Sequence, residues 1–378
     1  MTSTGTNGTR RLDRALVGKG AVGFALFVLA LAPTLALAGY NVEIVQGSER
    51  DIVAGTSLEY NGSGNPTIAY GDRTAGEVRL ATKSGSGWNR ETVDFRIPQT
   101  YTLDHAIDTN GNILVCYKVY NSPGYTLYAA QRIGGAWSVS TVAKGVSGSA
   151  ISCAYDSSHV ASVAHTFNGR LYLAKKSGSK WSSEVVAQGD LIEPSLVFDA
   201  AGKPAIAFVD NRSSETGIVY IKLARKPGSR WSIEPASEWP DMMRVPSLVF
   251  HPGSGEPMIS HYASRSSAPG EIRLATKSGG LWTTEPVTGG YGNTLRIDSA
   301  GLLHIGLRDS STNTQVFVAS REPLVWSMEL VDMSLNETAY STPSTALDAA
   351  GIPALSYTYR TDVNANGDLR FASQASGP

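Results

Sequence analysis

Beyond about residue 40 the chain is written in short runs of alternating apolar and polar residues broken by glycine-rich turns, the two-residue period of half-buried strands. One run recurs. Leu80–Val93 reads LATKSGSGWNRETV, Leu274–Val287 reads LATKSGGLWTTEPV, and Leu171–Val186 and Ile221–Glu234 carry the same frame. Weaker copies lie at Leu127–Val142 and Val316–Val331. Each predicts a strand, a tight polar turn in which glycine supplies the positive φ of a hairpin, and a second strand opened by tryptophan. The tryptophan returns at one register, so it is expected to pack between sheets rather than to bind a ligand.

A second unit precedes each copy. Ser195–Asp210 reads SLVFDAAGKPAIAFVD, with relatives at Ser57–Asp72, Ser247–Ala263, Thr294–Asp309 and Ser344–Tyr359, and divergent copies at Asp104–Val119 and Ser152–Phe167. It predicts two strands joined by an Asp/Asn-x-x-Gly turn. In that turn Asn61, Asp108, Asp156, Asp199, Asp298 and Asp348 bond the backbone rather than a metal. Together the two units make a four-stranded antiparallel sheet of about 45–50 residues, the period of a propeller blade. Complete blades begin at Ser57, Asp104, Ser152, Ser195, Ser247 and Thr294, and a seventh begins at Ser344 without its tryptophan strand. Gly39–Val45 (GYNVEIV) matches Gly87–Val93 (GWNRETV), with Tyr40 in the tryptophan place and Glu43 in that of Glu91. The expected fold is therefore all-β: a seven-bladed β-propeller of four-stranded antiparallel blades, closed by the N-terminal strand Tyr40–Val45, which leaves no open sheet edge.

Composition refines this picture. Charged residues make up 17% of the chain, glycine is abundant, and the formal net charge is −1. No basic stripe marks a nucleic-acid partner. Residues 1–38 read as a signal peptide: Arg10, Arg11, Arg14 and Lys19 precede an apolar core, and Ala36-Leu37-Ala38 forms a small-x-small cleavage site. Residues 39–378 are then one propeller domain, secreted, periplasmic or held in the cell envelope. An uncleaved membrane anchor is the competing reading of the leader, and no later segment is apolar enough to span a membrane. Cys116 and Cys153 fall on neighbouring repeats, where an exported protein could pair them and a packed core could equally hold them as thiols.

Connections between blades and between second and third strands share one face, where residues that depart from the repeat are the candidate ligand contacts. These are Asp72 and Arg73 in blade one, Asp104 and His105 in blade two, and Asp210 and Arg212 in blade four. Blade five adds Arg244, His261 and Arg265, blade six Arg308 and Asp309, and blade seven Tyr359 and Arg360. His165 stands where other blades carry tyrosine. Competing structural roles are turn bonds for the aspartates, core packing for His165 and His261, and surface ion pairs for the arginines. Asp362, Asn364, Asn366 and Asp368 alternate as oxygen ligands before an apolar residue, as at the start of a structural calcium loop. The same residues also read as an Asn-Gly hairpin turn. No cofactor is required by any motif.

The cassette resembles the repeats of sialidase-like (BNR, or Asp-box) propellers, with Lys-Ser-Gly-x-x-Trp standing where those carry Ser-x-Asp-x-Gly-x-x-Trp. That family carries a Phe/Tyr-Arg-Ile-Pro motif whose arginine binds the substrate carboxylate. Met242–Leu248 (MMRVPSL) places Arg244 there, while Phe95–Pro98 (FRIP) lies too far upstream of its strand. The resemblance implies a propeller of that broad superfamily, and no tyrosine nucleophile with its glutamate is assignable from sequence. The leading expectation is a non-catalytic module binding glycan or protein on its loop face. A glycan-active hydrolase or polysaccharide lyase is the second, and a structural envelope protein the third.

Overall fold

The computed structural model describes residues 35–36, 39–96, 102–147, 150–211, 217–265, 268–322, 325–339, 341–361 and 366–374. Pro33–Pro378 form one compact unit. Its strands make seven antiparallel sheets in sequence order around a central channel, a seven-bladed β-propeller. Blade one, for example, runs from Ile52–Tyr60 at the channel through Pro66–Asp72 and Glu77–Ser84 to Gly87–Asp94 at the rim. The other blades repeat this meander. In blade seven the inner strand is broken into Thr338–Ala339 and Ser344–Leu347, and its rim strand is Tyr40–Gln46, antiparallel to Gly367–Gln374 with Glu43 opposite Phe371. The closure expected from GYNVEIV is thus present. Leu35–Ala36 adds two residues in parallel to the rim strand of blade six. Among the described residues no helix is long and apolar enough to cross a membrane.

Strand alternation explains the core. Second strands are buried on both faces and read as near-continuous apolar runs, so each supplies residues to both adjoining blade interfaces. Seven hydrophobic clusters result, one in each gap between neighbouring blades. Every cassette aromatic packs into the gap toward the preceding blade, from Trp88 against the blade-seven cluster to Tyr40 against that of blade six.

Polar rings tie the blades together where apolar packing thins out. Around the channel, Leu58, His105, Cys153, Leu196, Leu248 and Leu295 each donate a backbone N–H to a side chain of the preceding blade. The acceptors are Ser344, Ser57, Asp104, Ser152, Ser195 and Ser247, at 2.8–3.1 Å. The Thr294 hydroxyl completes the circle by donating to the Pro343 carbonyl at 3.0 Å. At the rim, the Trp-x-x-Glu of one blade receives the basic residue of the next. Glu43 accepts from Lys83 and from Trp88 Nε1, Glu91 from Arg132 and Trp137, and Glu285 from Arg321 and Trp326. Lys226 meets Glu184 and Lys277 meets Glu234. The expected Asx turns are present too: Asn61, Asp108, Asp156, Asp199, Asp298 and Asp348 accept turn N–H groups through their side-chain oxygens.

Candidate functional site

The inner strands begin at the face shared by the blade-to-blade connections and the second-to-third-strand turns. Four of them bulge two residues before the ring hydroxyl, and the bulge residue is left-handed: Gly55, Glu193, Val245 and Gly292 have φ of 101°, 55°, 44° and 71°. Glycine takes that conformation freely, whereas glutamate and especially β-branched valine do not. Strained backbone of this kind persists only where surrounding contacts over-determine it, and it concentrates at functional sites.

Those contacts form a chain along the channel mouth. Glu193 Oε2 accepts the Val245 N–H at 2.6 Å, and the Val245 carbonyl accepts from Asn293 Nδ2 at 2.7 Å. The Ser260 hydroxyl donates to Asn293 Oδ1. Beside this chain lie two half-buried tyrosines, Tyr262 and Tyr291, with ring centroids 4.8 Å apart and planes at 66°. The Arg308 guanidinium stands 4.9 Å from the Tyr291 ring centroid, and Arg244 Nη1 lies 3.8 Å from Glu193 Oε1. Burial raises the Glu193 carboxyl, against the lowering effect of the Val245 N–H and of Arg244. Burial, followed by the charge of Glu193, raises Tyr291, while Arg308 and Arg244 act the other way. Burial lowers Arg308. Glu193, with Val245 and Asn293, lines a channel cavity of about 710 Å³, and Arg244, Tyr262, Tyr291 and Arg308 from blades five and six stand beside that lining.

Two of the residues expected from the sequence, Arg244 and Arg308, belong to this group. His261 does not: its strand turns Tyr262 toward the gap between blades five and six, where it packs beside Leu295 and Leu307, and His261 the opposite way, with Ile259, into the gap between blades four and five. There both ring nitrogens lack a partner among the described residues, and burial pushes the imidazole down to about 3. Arg265 lies 4.7 Å from the Trp239 ring centroid, with Arg273 on the same ring at 4.4 Å. Asp104 takes the serine place in the channel ring, one oxygen accepting from Cys153 N–H and the other from the Ser57 hydroxyl. His105 Nε2 pairs with Thr67 Oγ1 at 3.1 Å.

Of the recurring aspartates, Asp72 and Asp309 hold second-to-third-strand turns, and Asp210 pairs with the third strand. Asp72 accepts the Ala75 N–H and pairs with Arg50 at 2.9 Å, and Asp210 pairs with Lys222 at 2.7 Å. Asp309 accepts the Thr312, Asn313 and Gln315 N–H groups, and its turn bonds pull it down to about 2. Arg73 reaches Asp51 within blade one, and Arg360 reaches the same carboxylate across the junction of blades seven and one. Tyr359 donates its hydroxyl to the Thr314 carbonyl. Arg212, Asp362 and Asn364 lie outside the described residues. Asn366 precedes the third strand of blade seven, and Asp368, within it, pairs with Arg370 at 3.1 Å.

Glu193, Tyr262 and Tyr291 were not singled out from the sequence. A usable signal exists for one of them: Glu193 and Val245 precede Pro-Ser-Leu at the place where Gly55 and Gly292 precede Thr-Ser-Leu and Asn-Thr-Leu. A side chain where the repeat offers glycine marks a departure from the scaffold.

No family model matches the chain, and no curated protein matches it. Among solved structures it is similar to a PL25 polysaccharide lyase, an ulvan lyase, with TM-score 0.61 at 10% identity over 88% of this chain and 95% of that one. The same lyase bound to -[GlcA(1-4)Rha3S]- gives a TM-score of 0.60. Polysaccharide lyase Uly1 matches with TM-score 0.55 at 8% identity over 85% and 90% of the two chains. AofleA from Arthrobotrys oligospora matches with 0.53 at 12% identity over 79% and 91%. At these identities the likeness is one of fold.

Proposed function

We propose that this propeller is an extracytoplasmic module that binds an acidic glycan at the channel mouth across blades four to six. The observation that carries the reading is the convergence of Arg244, Arg308, Tyr262 and Tyr291 beside non-glycine left-handed backbone. Arginine offers a planar pair of donors to a carboxylate or sulfate. Tyrosine offers an apolar face with a hydroxyl at its tip. The similarity of fold to a polysaccharide lyase bound to -[GlcA(1-4)Rha3S]-, a uronate-containing saccharide, is consistent with that ligand class. A leader spanning residues 1–38 would place the domain where such polymers occur. Binding is tested by affinity electrophoresis against uronic-acid polysaccharides, sialosides and a neutral glucan. Arg244→Ala should weaken binding to the acidic ligand by roughly tenfold or more while leaving thermal unfolding unchanged. Unchanged affinity in that variant would overturn the site.

A second reading, cleavage at the same place, is favoured by Glu193 beside Tyr291. A buried carboxyl next to a phenol and an arginine could serve a hydrolase or a lyase. On this reading Tyr291→Phe stops turnover of a bound uronate or sialoside while binding survives. Absence of product from the wild-type protein leaves binding as its activity.

A further inference from the structure

The same face carries a second built recess, far round the ring from the channel-mouth cluster, at the outer top of blades two and three. It is a cavity of about 580 Å³ lined by Asn121, Pro123, Thr126, Tyr128, Lys144 and Phe167. None of these residues departs from the repeat in a way that drew attention in the sequence. Its floor depends on two glycines. A Cβ at Gly124 would sit 3.3 Å from Gly145 Cα, and a Cβ at Gly145, whose φ is 71°, would sit 3.2 Å from the Phe167 ring. A side chain at Gly124 would press on the Gly145 backbone, and one at Gly145 would press on the Phe167 ring and strain a left-handed backbone.

The surroundings are rich in aromatic rings and cations. The second-to-third-strand hairpin of blade two carries Tyr117, Tyr120, Tyr125 and Tyr128. Tyr117 and Tyr128 stack at 5.8 Å, and Tyr120 meets Tyr125 edge-on at 5.2 Å with 44% of Tyr120 exposed. The Arg96 guanidinium covers Tyr128 at 4.7 Å. Lys144 is exposed at the cavity wall. Behind it, the fully buried Lys118 bonds the Ser147 carbonyl at 3.1 Å and lies 5.4 Å from the Tyr125 ring. Asp94, beside Arg96, is held by that guanidinium and by the Tyr117 hydroxyl. The recess therefore presents the Phe167 ring, an amide and a hydroxyl joined to each other (Asn121 Nδ2 to Thr126 Oγ1, 3.1 Å), and the exposed Lys144 ammonium.

We infer that this recess is a saccharide subsite for a pyranose bearing a carboxylate or sulfate. The Phe167 ring accepts the C–H face of a sugar, Asn121 and Thr126 address hydroxyls, and Lys144 meets the acidic group. The inference rests on the glycan-binding reading and extends it. A chain engaged at both the channel mouth and blade two would be held at two points of one face, so that its avidity exceeds that of either contact.

The test uses the full chain in affinity electrophoresis against a polyuronate and a neutral glucan. Lys144→Glu and Phe167→Ala are compared with Lys180→Glu, a charge reversal at the turn of the opposite face. Thermal unfolding checks that Phe167→Ala is folded. The expected result is a roughly tenfold loss for Lys144→Glu and a clear loss for Phe167→Ala on the polyuronate, with Lys180→Glu unaffected. Wild-type affinity in both Lys144→Glu and Phe167→Ala overturns this subsite while leaving the channel mouth standing. Equal losses for Lys144→Glu and Lys180→Glu identify bulk charge and also overturn it. A wild-type protein that binds no acidic glycan overturns both readings.

Discussion

At the scale of single residues, alternation along a strand decides more than residue type does. His261 and Tyr262 are neighbours, yet one is fully buried in the gap between blades four and five and the other is half-buried toward blade six beside Tyr291, and a histidine read as a ligand contact becomes a core residue. Its environment has a measurable consequence. Burial, with Arg273 adding to it, holds the folded imidazole near 3, below the value of about 6.5 in an unfolded chain. The native state thus binds fewer protons, so the neutral ring's contribution is complete above about pH 6.5 and is lost as pH falls through that value toward 3. Phe208 fills the same place in blade four, so His261→Phe should fit. Urea unfolding at pH 7 and pH 5 should show the variant losing less stability than wild type, by up to about 1.4 kcal/mol per pH unit. Parallel losses would show that another group carries the acid sensitivity. The same alternation explains what was hidden at the site. Arg244 was legible because the Met-Met-Arg-Val-Pro-Ser-Leu string attracts notice. Tyr291 was not, because nothing in one strand start tells which three blades will meet there.

At the scale of the element, the repeated hairpin is a clamp that works between blades rather than within one. Its parts were legible: a basic residue, a tryptophan and, three residues on, a glutamate. Their pairing was not, because Glu43 serves Lys83 and Trp88 in the next blade, a partnership visible only once the order of blades in space is known. Comparing copies exposes a weak joint. In blade two the glutamate place holds Ser140, whose hydroxyl accepts from Trp181 Nε1 at 2.9 Å and from Lys176 at 3.4 Å. Burial lowers the Lys176 ammonium, whose partner at this joint is the Ser140 hydroxyl. Ser140→Glu should complete the ring and raise stability by about 0.5 kcal/mol, a modest gain because the pair is half-exposed. Glu91→Ser should cost about as much at the intact neighbouring joint. Both are read as shifts of the urea midpoint at constant slope, and a destabilised Ser140→Glu protein would show that the serine is there for fit rather than by drift.

At the scale of the whole molecule, the periodicity of Trp-x-x-Glu made the ring and its closing strand readable before any contact was known. Irregularity is what periodicity cannot show: the left-handed turns at Glu193 and Val245, the broken inner strand of blade seven, and the recess in blade two. Closure itself can be broken and mended. Tyr40–Gln46 supplies the rim strand of blade seven, buries Val45 in the gap toward blade one, and brings Glu43 to Lys83 and Trp88. Without it the strand Gly367–Gln374 becomes an open edge, and two of the seven gaps lose a wall. Deleting Gly39–Val45 should therefore lower the thermal midpoint by ten degrees or more, on the order of several kcal/mol of lost packing, and should promote association through the bared edge. A synthetic peptide of residues 39–46 added in excess should restore the midpoint in a concentration-dependent way, because it binds only the folded ring. Rescue by a peptide of the same composition in scrambled order would show that added mass rather than this register is responsible. An unchanged midpoint in the deletion variant would show that six blades hold the ring without the seventh being complete.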